Sequence, residues 1–177
     1  MFATSFVHHW SPLTHLQDNP LHISLFPPHQ NEMLDMSFLL NSCLDIFDIR
    51  MCSKTVDQDL GLLQAVDERL ATYGWLTNTG VKFIIVVDMA GRPPPSDADT
   101  RKVAPIVGLR DSDLKPAFRA VQTAYIQLLL NPFYAPDTMT PLQLANSAGR
   151  SAQITSKRFI SEVQRIGKAW FPGVQSI

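Results

Sequence analysis

The first regular segment of the chain is marked by an alternation of hydrophobic and polar positions. Residues 21–26 alternate with period two, and Leu21, Ile23 and Leu25 share one side of the pattern. This period is typical of a β-strand, because successive side chains of a strand point to opposite faces. The pattern therefore predicts a strand that ends at the two prolines of residues 27–28.

A helical period follows over residues 32–51, with Asn31 as a candidate N-cap. One face of this predicted helix is apolar and has the spacing of a helix that packs on a core. The residues of this face are Met36, Leu39, Leu40, Cys43, Leu44, Ile46 and Phe47.

A second group of apolar residues lies on another side of the same predicted helix. Leu34, Phe38 and Ile49 project there, with Asp45 between them. A covering loop would account for them, and scattered exposed apolar residues are common on protein surfaces. A helix that packs on one sheet needs only one apolar face, however, and three such residues on one side favour a surface that binds a partner.

Three strands are predicted next, over residues 60–66, 70–77 and 81–88. Their connections are short, and residues 78–80 include a glycine suited to a tight turn, so the strands are expected to be antiparallel. The strand over residues 81–88 is largely apolar on both sides. This pattern predicts a central strand that is covered on both faces.

The remainder of the chain is predicted to hold two helices and two irregular segments. Residues from about 89 to 110 contain three consecutive prolines and no sustained period, which indicates a flexible surface insertion. Asp113 is a candidate N-cap for the next helix, in which Pro116 falls in the first turn. A loop from about residue 137 to 153 precedes the last helix. The core face of the first of these helices comprises Leu114, Ala117, Phe118, Val121, Tyr125, Leu128 and Leu129.

Both helices also have a second side with a distinct character. Ile126 and Leu130 point away from the core face of the first helix and are a further candidate partner contact. The last helix, over about residues 156–170, has a basic side that is either a solvated face or a contact with an anionic membrane, and the solvated face is the commoner case. Its core residues are Phe159, Val163, Ile166 and Trp170, and its basic residues are Lys157, Arg158, Arg165 and Lys168.

Composition agrees with a single α+β domain that takes part in an assembly. The chain has 177 residues, of which 45% are hydrophobic and 18% charged, with a formal net charge of −1. The charged fraction is below the usual value of about 25%, and a surface with so little charge favours burial in a larger assembly. The balanced charge argues against a nucleic-acid partner. No apolar run reaches the length of about 20 residues that spans a bilayer, and the N-terminus does not have the pattern of a signal peptide.

Candidate chemistry is sparse along the chain. The five histidines lie within the first 29 residues without the helical spacing of a metal site, and the two cysteines, Cys43 and Cys52, are wrongly spaced for zinc. Cys43 falls in the apolar face of a predicted helix and is expected to be a buried free thiol. No phosphate-binding glycine loop or nucleophile elbow is present in the sequence. We therefore expect no metal, no cofactor and no enzyme activity.

Several stretches, in their order and spacing, resemble one known family. They are Asp18-Asn19-Pro20-Leu21-His22-Ile23, Ser42-Cys43-Leu44-Asp45-Ile46-Phe47-Asp48, Tyr73-Gly74-Trp75-Leu76-Thr77-Asn78-Thr79-Gly80-Val81-Lys82-Phe83-Ile84-Ile85-Val86-Val87-Asp88, and Asn131-Pro132-Phe133-Tyr134. The chain resembles the sedlin family of small subunits of TRAPP, the transport protein particle. Leu60-Gly61-Leu62-Leu63 and the Tyr-Gly-x-x-Thr-Asn pattern favour the subunit-2-like branch of that family.

The resemblance implies both a fold and a role. The fold is longin-like, with a five-stranded antiparallel sheet, one helix on one face and two on the other. The role is that of a non-catalytic adaptor that binds other small and large TRAPP subunits and reaches a Rab GTPase only through the complex, which acts as its nucleotide exchange factor. The expected location is cytoplasmic and peripheral at Golgi and ER–Golgi membranes, held there through the complex. Asp45 matches the family's aspartate on the first helix, and we expect it to lie at a subunit contact.

The sequence is also compatible with two other classes of function. One is a longin-like module that binds other vesicle coat or fusion machinery. The other is a binder of an apolar small ligand, with Trp75, Phe118 and Tyr125 as candidate lining residues, although aromatic residues at these spacings more often fill a core.

The N-terminal segment departs from the family pattern. In the family a hydrophobic strand directly precedes the Asn-Pro turn and lies in the middle of the sheet, whereas residues 11–17 make a poor strand. Residues 4–10 have a better strand pattern, but they lie too far from Asn19 in the sequence to form a tight hairpin with the strand that follows it. Either the N-terminal segment, residues 1–17, rearranges to supply this strand, or the segment comes from a wrongly predicted first exon.

Overall fold

A computed structural model of the chain has an α+β fold, as the element order predicts, and describes residues 2–8, 19–27, 29–52, 58–89, 109–134, 154–171 and 177. Within these residues the strands are β1 (Phe2–His8), β2 (Asn19–Leu25), β3 (Asp59–Ala65), β4 (Leu70–Leu76) and β5 (Val81–Asp88). The helices are α1 (Met33–Cys52), α2 (Asp111–Leu129) and α3 (Lys157–Ala169), and a 3-10 turn at His29–Asn31 precedes α1.

The strands are antiparallel and pair in the order β2-β1-β5-β4-β3. Strands β3, β4 and β5 follow one another along the chain and form a meander, because short turns join them. The backbone of β1 pairs with β2 on one side and with β5 on the other. The N-terminal segment therefore occupies the position in the sheet that the sequence pattern leaves open, and β5 has a hydrogen-bonded neighbour on each side.

The prediction that Leu21, Ile23 and Leu25 share a face is wrong at its first residue. The pairing of β2 with β1 shifts between Phe6 and Val7, so Leu21 has no direct partner in the register. A bulge of this kind moves one side chain to the opposite face of a sheet. Leu21 packs in the same buried cluster as α2 and α3, whereas Ile23 and Leu25 pack against the α1 cluster.

Helices cover the sheet on both faces, and β5 contributes to both cores. Every residue of β5 is buried. Ile84 and Val86 pack with α1, while Phe83 and Ile85 pack with α2 and α3. The prediction of a central strand covered on both sides is thus confirmed.

Helix α1 approaches the sheet closely because β4 carries a glycine below it. A Cβ atom at Gly74 would lie 2.7 Å from the ring of Phe47. The predicted core face of α1 is confirmed, since Met36, Leu40 and Cys43 are buried there together with Phe47.

Helix α2 differs from its prediction at its start and at one predicted core residue. It begins at Asp111, two residues before the predicted N-cap, and Asp113 instead accepts a hydrogen bond from the backbone N–H of Arg110 at 3.1 Å. Pro116 consequently falls in the second turn. Leu129, predicted to be in the core, is exposed, because it lies in the last turn on the solvent side. The predicted insertion and the predicted loop lie, apart from residues 89, 109 and 110, outside the described residues.

Candidate functional site

The outer face of α1 carries the residues that the sequence singles out. Leu34, Phe38 and Ile49 have 75%, 73% and 71% of their surface exposed, and Asp45 is exposed on the same helix. Successive positions three, four or seven residues apart lie on the same side of a helix. We call Leu34, Phe38, Asp45 and Ile49 the outer face of α1.

Charged side chains connect α1, which carries this face, to the sheet. The ammonium group of Lys82, on β5, is fully buried and lies 3.1 Å from Oδ1 of Asp48. At the C-terminal end of α1, the guanidinium of Arg50 donates to the carbonyl oxygens of Leu60 and Leu62 on the edge strand β3. These contacts join α1 both to β5 and to the edge strand of the sheet.

A second exposed apolar region lies at the C-terminal end of α2. Leu130 is 75% exposed, and Ile126, one turn earlier, is exposed as well. Leu130 borders a groove of about 690 Å³ between the end of α2 and the start of α3, whose floor includes Leu128 and Phe159. We call this depression the α2–α3 groove. The structure therefore places the two predicted groups on different helices, which cover opposite faces of the sheet.

The basic side chains of α3 differ in how closely they approach an acidic side chain. Arg165 forms hydrogen bonds of 2.7 and 3.1 Å with the carboxylate of Glu162, which lowers the pKa of Glu162. Arg158 borders the α2–α3 groove one helical turn before Glu162, and its positive charge also helps to lower the pKa of Glu162. The predicted basic side of α3 is exposed, and Glu162 lies beside two of its charges, those of Arg158 and Arg165.

A cluster of charged groups joins the start of α1 to the end of β5. His29 lies between two carboxylates, with Nε2 2.9 Å from Asp88 and Nδ1 2.6 Å from Glu32. Arg69 lies 3.1 Å from the same buried Asp88. Partial burial lowers the pKa of His29, but the hydrogen bonds to Asp88 and Glu32 outweigh burial and hold the pKa above its ordinary value. The cluster thus links the turn before α1 to the end of β5, and we call the contacts of His29 with Asp88 and Glu32 the His29 clamp.

The side chains that could take part in metal binding or catalysis have other environments in this fold. The described residues contain no group of three or more His, Cys, Asp and Glu side chains that could hold a metal ion. Burial lowers the pKa of His22, which hydrogen-bonds Ser24, and raises the pKa of the Cys43 thiol, which is buried and free as predicted. Within the described ranges no helix has the length and hydropathy of a membrane span.

The three aromatic residues considered as ligand contacts lie in the core. Trp75 and Phe118 stack with ring centroids 5.6 Å apart, and Tyr125 meets the ring of Phe83 edge to face at 6.0 Å. All three belong to the cluster between the sheet, α2 and α3. This arrangement agrees with the commoner interpretation of these residues as core.

Sequence reasoning missed part of both exposed surfaces. Met33 is exposed beside Leu34, and Phe133 is almost fully exposed just after α2. The signal for Phe133 was its place after Asn131 and Pro132, where a helix has ended and a large apolar side chain has no helix face to join. The sequence marks Arg158 only as one of a set of basic residues, because its position at the groove depends on how α3 packs against α2.

The fold is thus that of an α+β protein whose sheet is covered by helices on both faces. Residues 15–169 match the family described as Sedlin. A trafficking protein particle complex subunit 2-like protein of Dictyostelium discoideum is 31% identical over 154 residues, which cover 84% of this chain and 88% of the relative. Proteins of the same name from Bos taurus and Rattus norvegicus are 31% identical over 126 residues, with 68% of this chain and 78% of each relative covered. The chain belongs to the sedlin family, and its similarity to proteins named subunit 2-like confirms the branch that the sequence favours.

Proposed function

We propose that this chain is a non-catalytic adaptor subunit of a TRAPP complex, with a longin-like fold, that acts in ER-to-Golgi and Golgi vesicle transport. In this role the chain supports assembly of a Rab guanine-nucleotide exchange factor and carries no active site of its own. It is cytoplasmic and reaches Golgi and ER–Golgi membranes as a peripheral part of the complex.

The observation that carries the proposal is the outer face of α1. Three large apolar side chains there are each more than 70% exposed, on a helix that buries its other side in the core. Exposed apolar residues that cluster on one face are typical of a protein–protein contact. Family membership supplies the kind of partner, namely other TRAPP subunits.

Asp45 gives this contact its specificity. Its carboxylate stands between Phe38 and Ile49 along the helix and is exposed. In a complex, a partner's cationic or hydrogen-bond donor group would pair with it, because a carboxylate that loses water at an interface needs a replacement partner. Ile126 and Leu130 form a second contact on the opposite side of the sheet, so the chain can join two neighbours at once.

Affinity purification of the tagged chain from cells, followed by mass spectrometry, tests the proposal. We expect TRAPP subunits to co-purify in amounts comparable to the chain itself. Recovery of the folded chain without TRAPP subunits would contradict the adaptor role.

A further inference from the structure

We propose that the turn of Asn131, Pro132 and Phe133 is a binding motif, and that its partner is a protein domain with a pocket for one aromatic side chain. Phe133 enters that pocket, and the amide group of Asn131 donates a hydrogen bond at its rim. This contact goes beyond the proposed contacts with TRAPP subunits, because it uses neither the outer face of α1 nor the side chains of Ile126 and Leu130.

Two hydrogen bonds fix the shape of this turn, which follows the end of α2. The backbone N–H of Tyr134 donates to the carbonyl oxygen of Asn131 at 3.0 Å, which closes a β-turn. The backbone N–H of Phe133 donates to Oδ1 of Asn131 at 3.1 Å, which adds an Asx turn. Pro132 occupies the second position of the β-turn, where its fixed φ is favourable. We call residues 131–134 the Asn-Pro-Phe turn.

Both ends of the Asn-Pro-Phe turn are attached to the rest of the fold. At its start the backbone N–H of Asn131 donates to the carbonyl oxygen of Leu128, in the last turn of α2, at 3.1 Å. At its end Tyr134 packs against the core cluster between the sheet, α2 and α3. A partner therefore meets a preformed turn, which lowers the entropic cost of binding because the turn does not have to be ordered first.

Phe133 projects from this turn into solvent. It is 93% exposed, the largest fraction among the large apolar residues that the structure describes. Single exposed apolar residues are common on protein surfaces, but Phe133 is held at a fixed place by the turn, and its neighbours Asn131 and Pro132 are exposed as well. A single projecting ring is complementary to a concave pocket, and aromatic side chains that fill pockets carry much of the binding energy of interfaces.

The side chain of Asn131 gives the turn a polar group for recognition. Its Oδ1 atom is used within the turn, whereas its amide N–H groups have no acceptor in the described part of the chain. A side-chain amide has two N–H donors, so a bond to its oxygen leaves both of them for a partner. A pocket for Phe133 with an acceptor at its rim therefore recognises both residues together.

The charge around the turn favours a protein pocket over a membrane surface. Residues 120–136 contain no charged side chain. Arg158 and Glu162, which border the α2–α3 groove together with Asn131, have opposite signs. Binding to an anionic bilayer uses several cations beside apolar side chains, and the stretch that carries Phe133 supplies none. We therefore expect a contact whose affinity depends little on salt.

Isothermal titration calorimetry of the full-length chain with an EH domain, a small helical domain that binds Asn-Pro-Phe segments, tests the proposal. We expect saturable one-to-one binding that changes less than about threefold between about 0.05 and 0.5 M NaCl. Phe133→Ala should weaken this binding by about tenfold or more. Asn131→Asp keeps the acceptor of the Asx turn but loses the amide donor, and it should weaken binding about fivefold.

Phe171→Ala is the matched control. Phe171 is also an exposed phenylalanine, at 63%, but no Asn-Pro pair precedes it. Its replacement should change binding by less than about twofold. All three substitutions change exposed residues, so the melting temperatures of the variants should match that of the wild type.

The proposal is overturned by the absence of saturable binding, by equal effects of Phe133→Ala and Phe171→Ala, or by unchanged binding of Asn131→Asp. Self-association or sedimentation with phosphatidylserine vesicles that depends on Phe133 would also overturn it, since another surface would then cover the ring. Recovery of TRAPP subunits separates this contact from the adaptor role. Phe133→Ala should leave that recovery at the wild-type level, and a loss would assign Phe133 to a TRAPP contact and overturn the proposal.

Discussion

The ammonium nitrogen of Lys82 lies 3.1 Å from Oδ1 of Asp48 and joins the central strand β5 to helix α1. Lys82 has no exposed surface, and its ammonium also lies 5.7 Å from the centre of the Phe47 ring. The carboxylate of Asp48 is 58% exposed, so the pair sits where the core reaches the surface. The contact explains how a charged residue is accommodated in a strand that is buried throughout.

Asp48→Ala should therefore destabilise the fold. Removal of one partner leaves a buried cation less well satisfied, and we expect a loss of about 1–3 kcal/mol in the free energy of unfolding, nearer the lower value because water screens the exposed carboxylate. Urea unfolding at neutral pH measures this loss. Asp45→Ala, three residues earlier on the outer face, is the matched control and should change stability by less than about 0.5 kcal/mol. Equal losses for the two aspartates would contradict this assignment.

The clamp formed by His29 predicts a specific pH dependence. The pKa of His29 is raised above 6.5 in the folded protein, so the unfolded chain holds this proton less tightly. The stabilising contribution is fully present below the unfolded pKa and is lost as pH rises through the folded pKa. The difference in unfolding free energy between the wild type and His29→Gln should thus be larger at pH 6 than at pH 8.5. A difference that stays constant or grows with pH would show that the protonated ring does not clamp Asp88 and Glu32.

The contact between Phe26 and Gly167 predicts an unusual response to alanine. A Cβ atom at Gly167 would lie 2.3 Å from the ring of Phe26. Alanine normally stabilises a helix interior by about 1 kcal/mol relative to glycine, yet here overpacking should dominate and lower the melting temperature. Phe26→Leu removes part of the ring, so the double variant Gly167→Ala/Phe26→Leu should lose less stability than the sum of the single variants. Simple additivity would contradict the proposed clash.

Elements with strong periodicity were predictable from the sequence, because local pattern and tertiary packing agree there. The core face of α1 and the two-sided strand β5 needed only the period and the polarity of their residues. The face on which Leu21 lies was not predictable. It depends on a bulge in the pairing of β2 with β1, and the alternation within β2 does not specify that register.

The exposed positions of the candidate surfaces were also predictable, but their surroundings were not. Leu34, Phe38 and Ile49 are exposed as the helical period indicates. The contact of His29 with Asp88 joins residues that are 59 positions apart in the sequence. The position of Arg158 beside the α2–α3 groove depends on the packing of α3 against α2. Contacts of this kind depend on the whole fold and leave no local signal.

The outer face of α1 predicts that Asp45→Tyr weakens partner binding without unfolding the chain. Asp45 is exposed, so its replacement should leave stability nearly unchanged. At an interface, loss of one partner of a buried charged contact lowers binding by about 2–5 kcal/mol. Circular dichroism melting checks the fold, and quantitative pull-down of TRAPP subunits checks binding. A normal melt combined with normal recovery would remove Asp45 from the contact.

The most direct test of the adaptor role is the amount of TRAPP subunits recovered with tagged Phe38→Asp. Phe38 is 73% exposed in the isolated chain, so the substitution should leave the fold intact. Gln164→Asp introduces the same charge at an exposed position of α3 and serves as the control. We expect Phe38→Asp to lower recovery about tenfold or more, since a large apolar side chain at the centre of an interface carries much of its binding energy, and the control to match the wild type. Equal recovery with all three proteins would contradict the account.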